Sequence, residues 1–351
     1  MERDYYMDDI LLMEEIENNA PLMRSVKFYK TRYNPLEELE ESEFKYKYRF
    51  SRSTAIFIID MIKNDLAGDT RGGHIPPHIK VLSAIRTWSR GEIQDDAGDI
   101  SGMSQPSISL ICRQVALAIV PHIAQWIKMP QNDIDQKNVI AAFYAICGFR
   151  QVIGAIDRTH IKIPKVGGNI GQYYINRKGY SSLNIQVVSN ANLEIMDLVA
   201  HWRGSTHDSR IYNECRLKQR FEQGEFKGRL LADSAYACTP YMYTPILNPR
   251  SQKEESYNSA HIRTRNTVER CFGVWKQRFR CLLRGFTTKL DNTKLYIVAL
   301  AILHNIAMHK QDMLEDEEIV VDDGTFISST PTTNNSLRGN VSRAAFINEN
   351  F

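Results

Sequence analysis

Apolar positions change their period along the chain, and the elements follow from those changes. Val152-Ile-Gly-Ala-Ile is apolar at every position up to Asp157, after which Thr159, Ile161 and Ile163 alternate with Arg158, His160 and Lys162. This pattern predicts a strand over 152–163 that is buried on both faces in its first half and so central in a sheet. The runs 184–189 and 194–202, joined by Asn190-Ala191-Asn192, predict a hairpin that continues the central strand as an antiparallel meander. A helix is expected from Gly204 to about Phe221, with Asp208 in its first turn, where a carboxylate suits the helix dipole. The short apolar run ending Leu230-Leu231-Ala232-Asp233 follows that helix and should pair parallel with the central strand. Helical spacing also appears at Ile56, Ile59 and Ile62 behind a Ser51 or Ser53 cap, at 79–89 behind Pro76-Pro77, and at 115–128, 137–148 and 292–310. In 260–280, Val268, Phe272, Trp275 and Phe279 form an apolar stripe beside Glu269, Gly273, Lys276 and Arg280.

Two acids therefore stand at the ends of apolar strands. A carboxylate leaving a core needs a cation, a hydrogen-bond network or a metal ion, because unpaired burial is costly. With parallel pairing, Asp157 and Asp233 emerge side by side, and Glu269 lies next to a buried helix face. Three hard oxygen donors around one point suit Mg²⁺ or Mn²⁺ better than zinc. Two such ions roughly 3.5–4 Å apart serve phosphodiester cleavage. Ser205, His207 and Asp208 are too close in sequence to aim at one another as a hydrolase triad.

Charge sharpens this picture. The net charge is only +3, but residues 1–43 carry −7 and residues 311–323 carry −7, which leaves +17 on the rest. Residues 261–290 hold eight bases against the single acid Glu269. A basic body between acidic ends suits a partner rich in phosphate. Arg177 and Lys178 lie in a Gly- and Tyr-rich loop suited to phosphate contact and base stacking, and Lys276 and Arg280 would hold phosphates beside the acid. The six cysteines are scattered without C-x-x-C pairs, which argues against a disulfide framework or zinc knuckle. No signal-peptide pattern opens the chain, and the longest apolar run, near 295–302, is too short to span a bilayer. The expectation is an intracellular protein with no membrane partner.

Upstream, 94–102, a turn at Gly102 and a helix capped by Ser104 with Pro106 just inside it make a helix-turn-helix pattern. Ser104, Gln105, Ser107 and Ser109 at the start of the second helix would offer hydrogen bonds to base edges or phosphates. The organisation expected is an acidic arm over 1–43 with one helix at 10–17, a helical DNA-binding region over 44–150, a catalytic α/β region over 151–310, and a disordered acidic and then polar tail over 311–351.

Several motifs in order complete the reading: Gly154-Ala-Ile-Asp157-Arg-Thr-His-Ile, Tyr174-Ile-Asn-Arg-Lys-Gly-Tyr, Gly204-Ser-Thr-His-Asp208-Ser, Leu231-Ala-Asp233-Ser-Ala-Tyr, Val268-Glu269-Arg with Trp275-Lys-Gln-Arg-Phe, and Leu303-His-Asn305. Taken together they resemble the DDE transposases of the PIF/Harbinger superfamily, including its animal transposase-derived branch, from about Phe44 to Lys310. The resemblance implies an RNase H-like catalytic domain, a mixed sheet with flanking helices, preceded by an all-α helix-turn-helix-type domain. It also implies Asp157, Asp233 and Glu269 as catalytic metal ligands, DNA as substrate, and a separate Myb/SANT-like DNA-binding partner. A nuclear location follows from that substrate, with the cytoplasm and homo-oligomerisation left open. Arg158 stands where many relatives have a small residue and Ala232 where glycine is common; neither change removes a ligand. The alternative reading is a domesticated DNA-binding adaptor that keeps the fold without the catalysis.

Overall fold

The computed structural model describes residues 34–66, 75–91, 103–206, 208–314 and 336–351. The helix expected at 10–17 and the first helix of the helix-turn-helix pattern, 94–102, lie outside the described residues. The chain from Tyr33 onward forms one compact unit.

Five strands form the sheet: β1 (Val152–Lys162), β2 (Ser182–Ser189), β3 (Ile195–Arg203), β4 (Arg229–Leu231) and β5 (Met242–Tyr243). Their order is β3-β2-β1-β4-β5, so β1 is central, as its doubly apolar first half requires. β2 pairs antiparallel with β1 and β3 pairs antiparallel with β2, whereas β4 and β5 continue parallel to β1 on its other side. Val152 to Ile156 are all buried and alternation begins at Asp157. Gly154 allows close packing here, since a Cβ would stand 2.6 Å from Val188 Cγ1.

Before the sheet come α1 (Glu41–Tyr48), α2 (Arg52–Ile62), α3 (Pro77–Arg90), α4 (Gln105–Ile119) and α5 (Asp133–Cys147). Ser51 caps α2 by accepting from Thr54 N. The buried stripe of α2 is Ala55, Ile58, Ile59 and Ile62, and the expected Ile56 faces outward. With β-branched residues at 56, 58 and 59, apolar identity alone does not separate neighbouring stripes. α4 and the turns after it, Gln105–Trp126, are long and apolar enough to cross a membrane by length and composition alone. Ile108, Ile111, Val115 and Ile119 on this helix are buried in the core it shares with α3.

The helix expected from Gly204 to Phe221 is two short helices, α6 (Asp208–Asn213) and α7 (Arg216–Glu222). They cover one sheet face through Tyr212, Leu217 and Phe221 against Ile153, Ile156, Val188 and Leu230. The other face packs Ala155, Ile161, Val187 and Leu231 against α8 (Gln252–Arg278) and α9 (Leu290–His309). α8 starts eight residues before its expected start, capped by Ser251, whose hydroxyl accepts from Glu254 N. Its extra turns are polar outside Tyr257, so they show no apolar period.

The Leu303-His-Asn305 motif is a clamp on the sheet edge. Asn305 Oδ1 accepts from Ile195 N at 2.8 Å, and its Nδ2 donates to Ile195 O and Trp126 O at 2.7 Å each. His304 Nε2 contacts Leu193 O at 2.8 Å, where Leu193 holds a positive φ of 64°. Both polar groups of an edge residue are thus satisfied by one side chain. Asn305→Ala should cost about 3 kcal/mol in urea unfolding, because it strands the buried Ile195 amide and carbonyl.

Asp197 on β3 sits beneath α6 and α7. Burial pushes its carboxyl up to about 6, against an opposing pull from Arg220. A raised carboxyl contributes stability that is fully present below the ordinary carboxylate range and lost as pH rises through about 6. Asp197→Asn should therefore stabilise the protein by about 2 kcal/mol at pH 8 and by little at pH 4, read from urea midpoints.

The expectation of a disordered tail fails for 336–351. These residues contain α10 (Leu337–Asn350), which buries Phe346 and Ile347. Phe346 stacks on Phe149 at 5.4 Å, and Arg343 Nη1 donates to Thr244 O at 2.9 Å. The helix approaches closely at Gly339, where a Cβ would lie 2.3 Å from Cys238 O.

Candidate active site

The parallel register of β1 and β4 builds the first half of the site. Ala155 pairs with Leu231, so Asp157 and Asp233 each follow two residues past the same pair. Parallel neighbours lie about 4.8 Å apart, which brings the two carboxylates to one end of the sheet. Asp157 Oδ1 accepts from Arg158 N at 2.7 Å, and Asp233 Oδ1 accepts from Ala235 N at 3.0 Å. Each acid is therefore oriented by its own backbone.

Helix α8 crosses β1 and supplies the second half. Glu269 lies on this helix beside the buried stripe Val268, Phe272, Trp275 and Phe279. One turn earlier, Arg265 donates from Nη1 to Asp157 Oδ2 at 2.8 Å and from Nη2 to Glu269 Oε1. Its side chain is only 12% exposed, so both bonds form in a largely desolvated setting. Burial pushes the Asp157 carboxyl up to about 6; Arg265 pulls it down, while Asp233 and Glu269 push it further up. Burial opposes the charge on Arg265, but Asp157, Glu269 and Asp233 outweigh it and raise its pKa. All three acids thus act on one guanidinium.

That guanidinium tests how the donor set fits a metal. Among the described residues, no three His, Cys, Asp or Glu side chains stand as a group placed to hold an ion. Arg265 instead bonds both Asp157 and Glu269. The carboxylates themselves are hard oxygen donors gathered around a cation, which is the chemistry a magnesium or manganese site needs. Asp157, Asp233 and Glu269 carry that donor chemistry, with Arg265 the cation bonded to the first and the last of them.

A basic rim lies along the same strand. Burial holds the His160 imidazole down at about 4, and Arg158, Lys276, Lys178 and Arg177 add to that effect. Four cations from β1, α8 and the loop after β1 therefore face one histidine three residues from Asp157. The loop pair is presented by Asn176, whose Oδ1 accepts from Lys178 N and Tyr180 N. Gly273 leaves open space beside Glu269, since a Cβ added there would meet nothing within 4 Å.

Arg280 does not join this rim. α8 ends at Arg278, so the helical spacing from Lys276 breaks and Arg280 N donates instead to Ser89 O at 3.2 Å. Its charge acts on Arg49 and Tyr46 among the N-terminal helices. Ser104, Gln105, Ser107 and Ser109 sit at the start of α4, with Ser104 at its N-terminal cap position. Ser104 and Gln105 are exposed, Ser107 and Ser109 are half-buried, and Ser104 Oγ bonds Ser107 Oγ at 2.9 Å without capping the helix. Sequence reading misses Arg265 and treats Arg158 only as a departure. The i,i+4 spacing of Arg265 and Glu269 is the signal that could have found it.

Comparison with known proteins gives the family. Residues 156–305, which include all three acids, match the family model described as DDE superfamily endonuclease. The chain is 29% identical over 284 residues to the Homo sapiens protein named "Putative nuclease HARBI1", covering 79% of this chain and 81% of that one. The Mus musculus counterpart is 30% identical with the same coverage. The Arabidopsis thaliana protein named "Protein ALP1-like" is 23% identical over 78% of this chain and 73% of its own length. No solved structure matches. With a five-stranded mixed sheet, flanking helices and these similarities, the chain belongs to the DDE superfamily of endonucleases, in its Harbinger transposase-derived branch.

Proposed function

We propose that this chain is a divalent-metal-dependent DNA nuclease with an RNase H-like catalytic core, in which Asp157, Asp233 and Glu269 hold two Mg²⁺ or Mn²⁺ ions. The observation that carries this reading is that Asp157 and Glu269, from β1 and α8, meet on one cation while Asp233 emerges at the end of the neighbouring strand β4. Bound there, the ions would supply an activated water and a stabilised leaving oxygen. Asp157 and Asp233, on adjacent strand ends, are suited to share an ion, and Glu269 completes the set from the facing helix. Arg158, Arg177, Lys178 and Lys276 would lay the DNA backbone along β1, where phosphate oxygens meet guanidinium and ammonium groups. The experiment is nicking of supercoiled plasmid with Mg²⁺ or Mn²⁺ against a chelator control. Metal-dependent nicks support the reading.

The start of α4 is proposed to find DNA through Ser104, Gln105, Ser107 and Ser109, with a Myb/SANT-like protein contributing sequence specificity in the nucleus. Changing Gln105 and Ser107 together to alanine should weaken DNA affinity about tenfold while leaving Mn²⁺ affinity unchanged. Equal DNA affinity in a gel-shift titration would remove α4 from the interface.

The adaptor reading has one observation in its favour: the acids are already neutralised in part by Arg265. Titration calorimetry with Mn²⁺ separates the two, since an adaptor has no use for the ion.

A further inference from the structure

We infer that Arg265 is a built-in counter-cation which bridges the Asp157 and Glu269 carboxylates and which a divalent ion must displace, so that the two cations exclude one another. This rests on the metal reading above and adds the residue that opposes it.

The geometry leaves no room for both. Arg265 sits one helical turn before Glu269 and reaches from α8 across to β1. Its two terminal nitrogens engage two different carboxylates, Asp157 through Oδ2 and Glu269 through Oε1. The other oxygen of Asp157 already accepts from Arg158 N. One oxygen of Asp157 and one of Glu269 are therefore bound by the guanidinium. An ion held by oxygens at about 2.0–2.1 Å needs those same atoms. Keeping Arg265 in place beside the ion would set positive charge against positive charge in a site from which water is largely removed.

The arrangement also explains how Asp157 and Glu269 stay close before any ion arrives. Like charges at this spacing repel strongly when desolvated. Arg265 offsets that repulsion from within the chain, and as part of α8 it does so without loss of translational freedom. The ion gains from its double charge but must break two charge-assisted hydrogen bonds. Metal affinity is thereby set lower than the carboxylates alone would give.

The test compares the full-length wild type with Arg265→Gln, which removes the charge and keeps a polar side chain. Calorimetric titration with Mn²⁺ alone should show affinity at least about tenfold higher in the variant. Without metal the variant should melt at a lower temperature than wild type, and Mn²⁺ should raise its melting temperature by more. A purely structural Arg265 would lower the melting temperature and leave Mn²⁺ affinity unchanged. Equal or weaker Mn²⁺ affinity in a folded variant overturns the inference while the metal reading stands. Absence of Mn²⁺ binding to both proteins overturns the metal reading and the displacement with it. If the variant does not fold, arginine side-chain NMR of the wild type decides. The protected Nη protons of Arg265 should begin to exchange on saturation with Mg²⁺, and their continued protection overturns the inference.

Discussion

Asp157→Asn should abolish metal-dependent nicking and leave DNA binding intact or stronger. The two bonds use different oxygens, Oδ1 for Arg158 N and Oδ2 for Arg265 Nη1, so the amide oxygen of the variant can keep one of them while its NH2 loses the other. The substitution removes the charge that attracts a divalent ion at the point where strands β1 and β4 bring two acids together. Losing a shared ligand should cost about three orders of magnitude in rate or more, equivalent to about 4 kcal/mol of barrier. DNA affinity does not fall, because a negative charge leaves a surface lined by Arg158, Arg177, Lys178 and Lys276. Plasmid nicking and gel-shift titration, with wild type alongside, read the two effects separately. Unchanged nicking in the variant would remove Asp157 from the chemistry. Loss of binding together with nicking would indicate a disturbed fold.

Ending the chain at residue 335 should destabilise it by about 4 kcal/mol. Helix α10 buries Phe346 and Ile347, each contributing about 1.5–3 kcal/mol by removal from water. Phe346 lies 5.4 Å from both Phe149 and Tyr243, and Phe351 adds contacts at 5.9 Å to Phe149 and Tyr257. Tyr243 Oη would lose Ser342 O, at 3.0 Å, and the carbonyls of Thr244 and Pro245 would lose Arg343. The truncation also uncovers β5, an edge strand, and so should increase aggregation on heating. Chemical denaturation of the shortened chain measures the loss, and Phe346→Ala should reproduce about 3 kcal/mol of it. A midpoint unchanged by truncation would mean that α10 does not pack in solution.

The parts of the fold that a sequence displays are those whose burial is periodic. The central strand shows itself through five successive apolar positions before Asp157, and the stripe on α8 through Val268, Phe272, Trp275 and Phe279. Strand orientation follows from chain direction, since a strand after a crossover helix pairs parallel, and the Ala155–Leu231 register then brings Asp157 and Asp233 together. Elements without such a period stay hidden. The first turns of α8 bury little besides Tyr257 and His261, and α10 turns only Phe346, Ile347 and Gly339 inward. Arg265 is visible as one of eight bases, but its direction depends on how α8 crosses the sheet, which no local pattern encodes. Arg280 is misplaced for the converse reason: its assumed helical neighbourhood ends at Arg278.

The pairing of Ala155 with Leu231 separates rigid spacings from elastic ones. Two residues from that pair to each aspartate, and four from Arg265 to Glu269, are fixed by strand and helix geometry. The length of chain between the acids is not fixed, because loops close at a cost that grows only by about 0.6 kcal/mol per doubling. Insertions in the loop after β1 or between β5 and α8 can therefore accumulate without moving a carboxylate. A single residue added between Ala155 and Asp157 would turn the acid to the opposite face of the sheet. Kinship in such a site is carried by short, fixed intervals inside elements, while the distances between them drift.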